Sequence, residues 1–209
     1  CNAASQLDLS QFASDIGPFI EKFHDPAKDY NKNDIRGYFS IKPDQSTNLY
    51  GACDLAYILW ITGELKDRTT VHGRAEWATL IQSFQDLETG LFNKNIVDGE
   101  SVTHATAFAT AALKLLNYRP RHPHYWAENT FKTEESVNSW LDSFYWDQIW
   151  TGSHEIGQVA AVIDAPLGIS LDRDFKYWIL DAMDKRVDKS TGFWKNGILD
   201  SVLTDVTTV

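Results

Sequence analysis

Apolar residues recur at three- and four-residue steps in four segments of the chain, with polar residues filling the positions between them. These segments are residues 9–23, 77–84, 137–144 and 175–183. The spacing matches one face of a helix with 3.6 residues per turn. It predicts four amphipathic helices, each of which buries one face and exposes the other.

Three further segments, residues 52–61, 105–116 and 156–163, are apolar or small around their whole circumference. A helix without a polar face has to be covered on all sides. The two kinds of segment alternate along the chain, and no sustained period-two pattern indicates strands. We therefore predict an all-α protein of helical hairpins, with about four amphipathic helices outside and three apolar helices inside. A solenoid of helix pairs is the competing arrangement.

A seven-residue pattern, D-x-x-T-G-apolar-aromatic, occurs at residues 86–92 and again at residues 188–194. The two copies are separated by 188 − 86 = 102 residues, or two steps of 51. Related glycine-aromatic sequences occur at residues 37–39 and, in degenerate form, at residues 150–152. A glycine that follows a helix supplies a left-handed cap. The pattern predicts hairpin repeats of about 51 residues that span 1–209 as a single domain.

Composition narrows the range of functions. The chain has 43% hydrophobic residues and eight Trp, a composition that is typical of a globular protein. Its net charge is −10, and its sequence shows no basic stripe of the kind that nucleic-acid binders carry. No apolar run has membrane-spanning length, and no motif predicts a cofactor or a metal site. Cys53 lies in an apolar helical segment and is predicted to be a buried free thiol. The charged loop 119–124 is interpreted as a hydrated surface loop in preference to an anion site.

Residues 85–92, Q-D-L-E-T-G-L-F, resemble the Q-x-x-x-x-G-x-aromatic core of the terpenoid cyclase repeat. With the alternating helices, the chain resembles the α/α-toroid superfamily, which includes six-hairpin glycosidases, polysaccharide lyases, sugar epimerases, terpenoid cyclases and protein prenyltransferases. The resemblance implies an (α/α) toroid. The chain differs from the cyclases and prenyltransferases, because the D-x-D-D and D-x-C signatures of those enzymes are absent from its sequence. Since the helices are too few for a complete ring, we expect a longer chain or an oligomer to close it.

Candidate chemistry follows from the repeat. Asp54, His104, His154 and Asp205 are spaced by 50 or 51 residues, at the starts of the predicted inner helices. The resemblance implies a substrate cleft at this mouth. We predict His104 and His154 as acid/base groups, with Asp54, Glu155 and Asp205 as their carboxylate partners.

Aromatic faces near the same mouth are suited to stacking on sugar rings. The predicted substrate-binding residues are Trp146, Trp150, Phe92, Tyr50 and Gln158. The leading hypothesis is a glycoside hydrolase or a polysaccharide lyase that acts on a polysaccharide or oligosaccharide.

Other interpretations of the same residues remain open. Polar residues at helix starts often serve as caps or hydrogen-bond across to the next hairpin. Asp54, His104 and His154 also match a two-His-one-carboxylate metal set, although no local motif strengthens that interpretation. At the level of the whole chain, a non-catalytic binding or assembly domain is the main alternative. An isoprenoid-handling enzyme with an apolar cavity is a weaker one. The sequence does not indicate a compartment.

Overall fold

The computed structural model describes residues 10–94, 96, 100–144, 155–157, 173–192 and 194. Within these ranges the named helices are α1 (Ser10–Glu21), α2 (Leu49–Ile61), α3 (Val71–Ser83), α4 (Val102–Leu115), α5 (Tyr125–Thr130), α6 (Glu134–Asp142) and α7 (Arg173–Lys185). Residues 155–157 are also helical. The described residues form no strand, only isolated β-bridges, so the prediction of an all-α protein is confirmed.

Helices α2 and α4 pack against each other and form the centre of the larger core. Ala52 and Ala56 of α2 and Ala105 and Ala109 of α4 are completely buried. These small side chains allow the two helix backbones to approach closely, which suits helices that lack a polar face. The first two apolar segments are therefore helices that are mostly buried, as predicted, but the expected complete cover is wrong at the end of α2, where Trp60 and Ile61 are exposed. Cys53 of α2 is a buried free cysteine, which confirms that prediction as well.

Helices α1 and α3 are amphipathic and bury one face against this core. Trp77 of α3 is fully buried, and its indole N–H donates a hydrogen bond of 3.0 Å to the carbonyl oxygen of Ala52. Helix α3 packs against both α2 and α4. Ile16 and Ile20 of α1 belong to the same core, and α1 continues through Pro18.

A second cluster joins α6, α7 and the short helical stretch 155–157. Its buried members are Ala127, Phe131, Val137, Leu141, Ile156, Ile179 and Ala182. Helices α6 and α7 pack directly on each other. Helix α5, which precedes α6, lies in a segment where the apolar spacing predicted no helix.

Helix starts are defined by side-chain caps. Asn48 accepts the backbone N–H of Gly51 at the start of α2, and Ser101 accepts that of His104 at the start of α4. Each cap satisfies one of the backbone donors that a helix start leaves without an intrahelical partner. The two caps lie 101 − 48 = 53 residues apart, so the first structural step is longer than the predicted 51.

The links that follow α1, α3 and α7 share one feature, an antiparallel bridge to an aromatic residue two positions after a glycine. Antiparallel bridges join His24 to Phe39, Gln85 to Phe92 and Val187 to Trp194. In each turn the glycine has a positive φ: 79° at Gly37, 73° at Gly90 and 76° at Gly192. Side chains with a Cβ resist this left-handed conformation, which explains the repeated glycine. The left-handed conformation is confirmed, but the prediction that these glycines cap helices is wrong, because Gly90 lies seven residues after Ser83, the last residue of α3.

Gln85 links its turn to the loop that precedes α5. Its side-chain oxygen accepts the backbone N–H groups of Arg121 and His122, at 2.9 and 3.0 Å. Its side-chain nitrogen donates to the carbonyl oxygens of Gly90 and His122, at 2.7 and 2.8 Å. The prediction of a hydrated surface loop at residues 119–124 therefore does not describe its backbone, which is anchored by hydrogen bonds to the side chain of Gln85.

Candidate functional site

His104 lies in the first turn of α4, as the third residue of that helix. Its Nδ1 atom is 2.7 Å from Oε2 of Glu100 and 3.0 Å from the hydroxyl oxygen of Tyr50. Glu100 lies just before the cap that starts α4, where the positive end of the helix dipole favours a carboxylate. These three residues are called the His104 cluster below.

An aromatic stack supports the imidazole. The rings of Tyr50, His104 and Phe108 lie with centroids 5.4–5.7 Å apart and with interplanar angles of 28–30°. Tyr57 packs on Phe108 at 4.8 Å, and its hydroxyl donates to the Phe108 carbonyl oxygen at 2.9 Å. The stack leaves 21% of the His104 side chain exposed to solvent. The histidine is therefore held in a defined position and is still accessible.

Burial and a neighbouring charge determine the protonation state of Tyr50. Burial raises the pKa of the Tyr50 hydroxyl well above its ordinary value, and the nearby Glu100 carboxylate raises it further. Tyr50 therefore remains protonated near neutral pH. Nδ1 of His104 lies within hydrogen-bond distance of both the Glu100 carboxylate and the Tyr50 hydroxyl, and these two contacts orient the ring.

Asp54 lies in a different environment from His104. It is the sixth residue of α2 and lines a cavity of about 280 Å³ together with residues of α1, such as Phe19 and Ile20. Burial raises the pKa of its carboxyl group. Among the described residues, none makes a hydrogen bond or an ion pair with this carboxylate.

The predicted shared repeat position of Asp54 and His104 is wrong. Measured from the caps, His104 is the third residue of α4, whereas Asp54 is the sixth residue of α2. The residue of α2 that matches His104 is Gly51, whose ideal Cβ would lie 2.5 Å from the carbonyl oxygen of Phe39. That position leaves no room for a side chain. Counting residues in equal steps missed a difference of almost one helical turn.

Two predicted sugar-binding aromatics are core residues. Phe92 is fully buried, and its backbone N–H donates to Oγ1 of Thr106 at 2.9 Å. Tyr50 is 6% exposed and stacks on its neighbours. Neither ring offers an open face to a sugar, so the prediction of stacking platforms is wrong for this pair. Phe92 is buried because the glycine-aromatic turn uses it to hold the returning chain against the core, whereas Tyr50 is buried because it lies in α2 at the centre of that core.

The remaining predicted residues are only partly covered by the structure. Glu155 is half-buried at the start of the helical stretch 155–157. Five predicted residues lie outside the described residues: Trp146, Trp150, His154, Gln158 and Asp205. In the part of the chain that the structure describes, no three His, Cys, Asp or Glu side chains are grouped so that they could hold a metal ion. No described helix is long and apolar enough to cross a bilayer.

Glu100 is the site residue that the sequence analysis missed. A signal was present, because Glu100 and His104 are four residues apart, a spacing that brings two side chains together across a helical turn. Ser101 and the apolar residues after it also mark the helix start. The repeat predicted partners about 50 residues away, whereas the partner of His104 lies only four residues away.

Comparisons with protein-family models, with curated proteins and with solved structures find no match for this chain. What the His104 cluster can do is therefore judged from its own geometry. It combines an accessible imidazole, a carboxylate that orients it and a protonated phenol, which together form an arrangement able to transfer protons.

Proposed function

We propose that the protein is a carbohydrate-active enzyme, and more narrowly a polysaccharide lyase, with His104 as its proton-transferring base. The observation that carries this proposal is the placement of His104 Nδ1 between Glu100, at 2.7 Å, and Tyr50, at 3.0 Å. A carboxylate on an imidazole nitrogen orients the ring and stabilises its protonated form, which supports a role in proton transfer.

The step assigned to His104 is a β-elimination on a uronate. Its imidazole removes the proton on the carbon next to the sugar carboxyl group, and that electron pair forms a carbon–carbon double bond. The glycosidic carbon–oxygen bond breaks, and the departing oxygen takes the proton back from the imidazolium. Glu100 stabilises the imidazolium while it exists. Tyr50, which stays protonated, contacts the same Nδ1 atom at 3.0 Å and stacks on the ring.

Elimination fits these residues better than hydrolysis. Glycoside hydrolases usually work with two carboxyl groups on either side of the bond to be cleaved. In the described structure, Glu100 is paired with His104, and Asp54 lines the cavity beside α1. This arrangement supports a histidine base more than a carboxylate pair.

We also propose that the helices form part of an (α/α) toroid. Three features support this arrangement. The buried helices α2 and α4 are neighbours, and the amphipathic helix α3 packs against both. The links that follow α1, α3 and α7 each contain a glycine of positive φ and an antiparallel bridge. A toroid whose inner helices begin at one rim would place His104 and its neighbours at the mouth of a cleft.

The test is a lyase assay on a panel of uronate-containing and neutral polysaccharides, read by the ultraviolet absorbance of the unsaturated product. We expect turnover on a uronate polymer. His104→Gln should lower kcat by roughly 100-fold or more, as is usual for loss of a general base. Absence of unsaturated product from every uronate polymer, or full activity of His104→Gln, would contradict the proposal.

His72 offers a matched control. It also pairs with a glutamate one turn away, since its Nε2 lies 3.2 Å from Glu76, but its side chain is 75% exposed on α3. His72→Gln should leave kcat unchanged. Loss of activity in both variants would indicate a general effect of removing histidine and not a role for His104.

A second candidate function is a non-catalytic assembly domain. It is favoured by large apolar side chains exposed on α1 and α2: Phe12 at 63%, Phe19 at 54%, Trp60 at 58% and Ile61 at 74%. Contiguous apolar surface of this kind is typical of interaction sites. Sedimentation velocity would distinguish the two, because an assembly domain forms a stable oligomer and shows no turnover on the same polysaccharides.

A further inference from the structure

A groove between α1 and α2 contains two adjoining cavities, and none of the three residues of the His104 cluster lines either of them. Their volumes are about 280 Å³ and about 490 Å³. The side chains of Phe19, Ile58 and Ile61 line both of them, so the cavities share one wall. Concave apolar spaces of this size are typical of small-molecule sites.

The walls of the groove are helical faces of regular spacing. Phe12, Ile16 and Phe19 of α1 line the larger cavity, at intervals of four and three residues. Ile58 and Ile61 of α2 lie opposite them. The side chains at the open side are well exposed, with Ile61 at 74% and Phe19 at 54%. An apolar body placed here would remove a substantial apolar surface from water.

Charge in the groove has a single sign. Asp54 is the one charged residue that lines the smaller cavity, and Asp15 is the one that lines the larger. Asp15 accepts a hydrogen bond of 2.9 Å from the side chain of Gln11. Asp54 has no such partner among the described residues, and no Lys, Arg or His lines either cavity.

A carboxylate beside apolar side chains and without a counter-ion is energetically unfavourable. Burial raises the pKa of Asp54 for this reason. A cation within hydrogen-bond distance would relieve the cost, because a charge-assisted hydrogen bond is stronger than a neutral one. The ligand that complements this groove therefore has one positive group and an apolar remainder.

We propose that the groove binds a small organic ammonium compound, with its charged nitrogen on Asp54 and its apolar body against Phe19, Ile58 and Ile61. An anionic ligand would be repelled by both carboxylates, and a neutral ligand would leave Asp54 uncompensated. A second copy of the chain would bring further negative charge, since the net charge of each chain is −10. The site is independent of the proposed lyase activity.

Titration calorimetry on the full chain tests this site with n-octylammonium, n-octanol and octanoate, which share one apolar tail and differ in the head group. We expect n-octylammonium to bind at least about tenfold more tightly than n-octanol, the ratio that one favourable charge-assisted contact supplies. Octanoate should bind more weakly than n-octanol.

Two variants locate the binding. Asp54→Asn keeps the shape of the side chain and removes its charge, so the preference for the ammonium over the alcohol should fall to about onefold. Phe19→Ala should weaken both ligands to a similar extent, because it removes part of the shared apolar wall. Glu88→Gln is the matched control: it removes one exposed negative charge far along the chain and should leave the preference intact.

Equal affinity for n-octylammonium and n-octanol would overturn the proposal, and so would an unchanged preference in Asp54→Asn or no binding of any probe. A concentration-dependent dimer that Phe19→Ser abolishes would also overturn it, because a second copy would then occupy the groove. Lyase activity is a separate measurement: His104→Gln should bind n-octylammonium as the unmodified protein does.

Discussion

The turns at residues 85–92 and 187–194 share their local structure but differ in their surroundings. Each has an antiparallel bridge across the turn and a glycine of positive φ. In each, the first aspartate accepts hydrogen bonds from the backbone just after it: Asp86 from Thr89 at 2.8 Å, and Asp188 from Ser190 at 2.8 Å. These bonds lower the pKa of both carboxyl groups.

The difference lies in what packs on the glycine. An ideal Cβ on Gly90 would lie 1.7 Å from the carbonyl oxygen of Pro123, whereas one on Gly192 has no described atom within 4 Å. The first turn is covered by the loop that Gln85 anchors, and Gly192 is exposed. The same sequence motif therefore has one role in local backbone geometry at both sites, and a second role in tertiary packing at only one of them.

The largest expected effect is that of Gly90→Ala. The left-handed conformation costs roughly 1–2 kcal/mol for a residue with a Cβ, and overpacking against a fixed backbone adds roughly 1–3 kcal/mol. We expect urea unfolding to show a loss of roughly 2–5 kcal/mol. Gly192→Ala should cost only the conformational part, roughly 1–2 kcal/mol. Equal losses in the two variants would show that packing does not distinguish the turns.

Replacing Gln85 by Ala should have the next largest effect. Gln85 is 2% exposed and makes four hydrogen bonds to backbone groups of its own turn and of loop 119–124. Leaving buried backbone groups without partners costs about 1–3 kcal/mol per group, reduced where water can enter, so we expect a loss of roughly 2–4 kcal/mol in urea unfolding.

The matched control for Gln85 is Val187→Ala, at the equivalent position of the other turn. Val187 is half-buried and has no side-chain hydrogen bond to lose, so the change should cost roughly 1 kcal/mol. Hydrogen exchange adds a local test. The amides of Arg121 and His122 should lose protection in Gln85→Ala, and unchanged protection there would contradict the anchoring role.

A smaller effect concerns pH. His124 is fully buried, with Nδ1 2.8 Å from the carbonyl oxygen of Gly90 and Nε2 3.4 Å from Oγ1 of Thr110. Burial lowers its pKa below the ordinary value of 6.5, although the bond to Gly90 opposes the shift. Below about pH 6.5 the unfolded chain therefore takes up this proton before the folded chain does. Stability should fall by up to about 1.4 kcal/mol per pH unit until the folded pKa is reached.

His124→Gln isolates this contribution. Above pH 6.5 His124 is neutral in both the folded and the unfolded protein, so it adds no pH dependence to the stability there. Between 6.5 and the folded pKa, the variant should lose stability less steeply with acidification than the unmodified protein. The pKa of His24 is lowered for the same reason, and its contribution should remain in both proteins. Parallel stability curves from urea unfolding would show that His124 is not responsible.

Much of the helical structure could be predicted, because apolar periodicity reports directly on which face of a helix is buried. Helix α2 was recognised from its apolar sequence, and the left-handed glycines from their position after amphipathic segments. Helix α5 was missed, since its six residues contain less than two full turns of pattern. The anchoring of loop 119–124 was also missed, because it depends on the side chain of Gln85, 36 and 37 residues away.

The candidate site was predicted only in part. His104 was identified from the repeat, and the structure places it in an accessible aromatic stack. Its partner Glu100 was missed, and Asp54 was assigned to the wrong register, because an average repeat length does not contain the exact position of each cap. Phe92 was taken for an exposed aromatic, although only packing reveals which rings the core encloses.

Cys53 has a practical consequence for study of this protein. Its thiol is completely enclosed in the larger core, and burial raises its pKa well above the ordinary value, so both access and ionisation are suppressed in the native state. Modification by a thiol reagent therefore has to wait for this core to open. In a variant that lacks Cys1, the rate of thiol labelling would report the rate at which the core opens, without any attached probe.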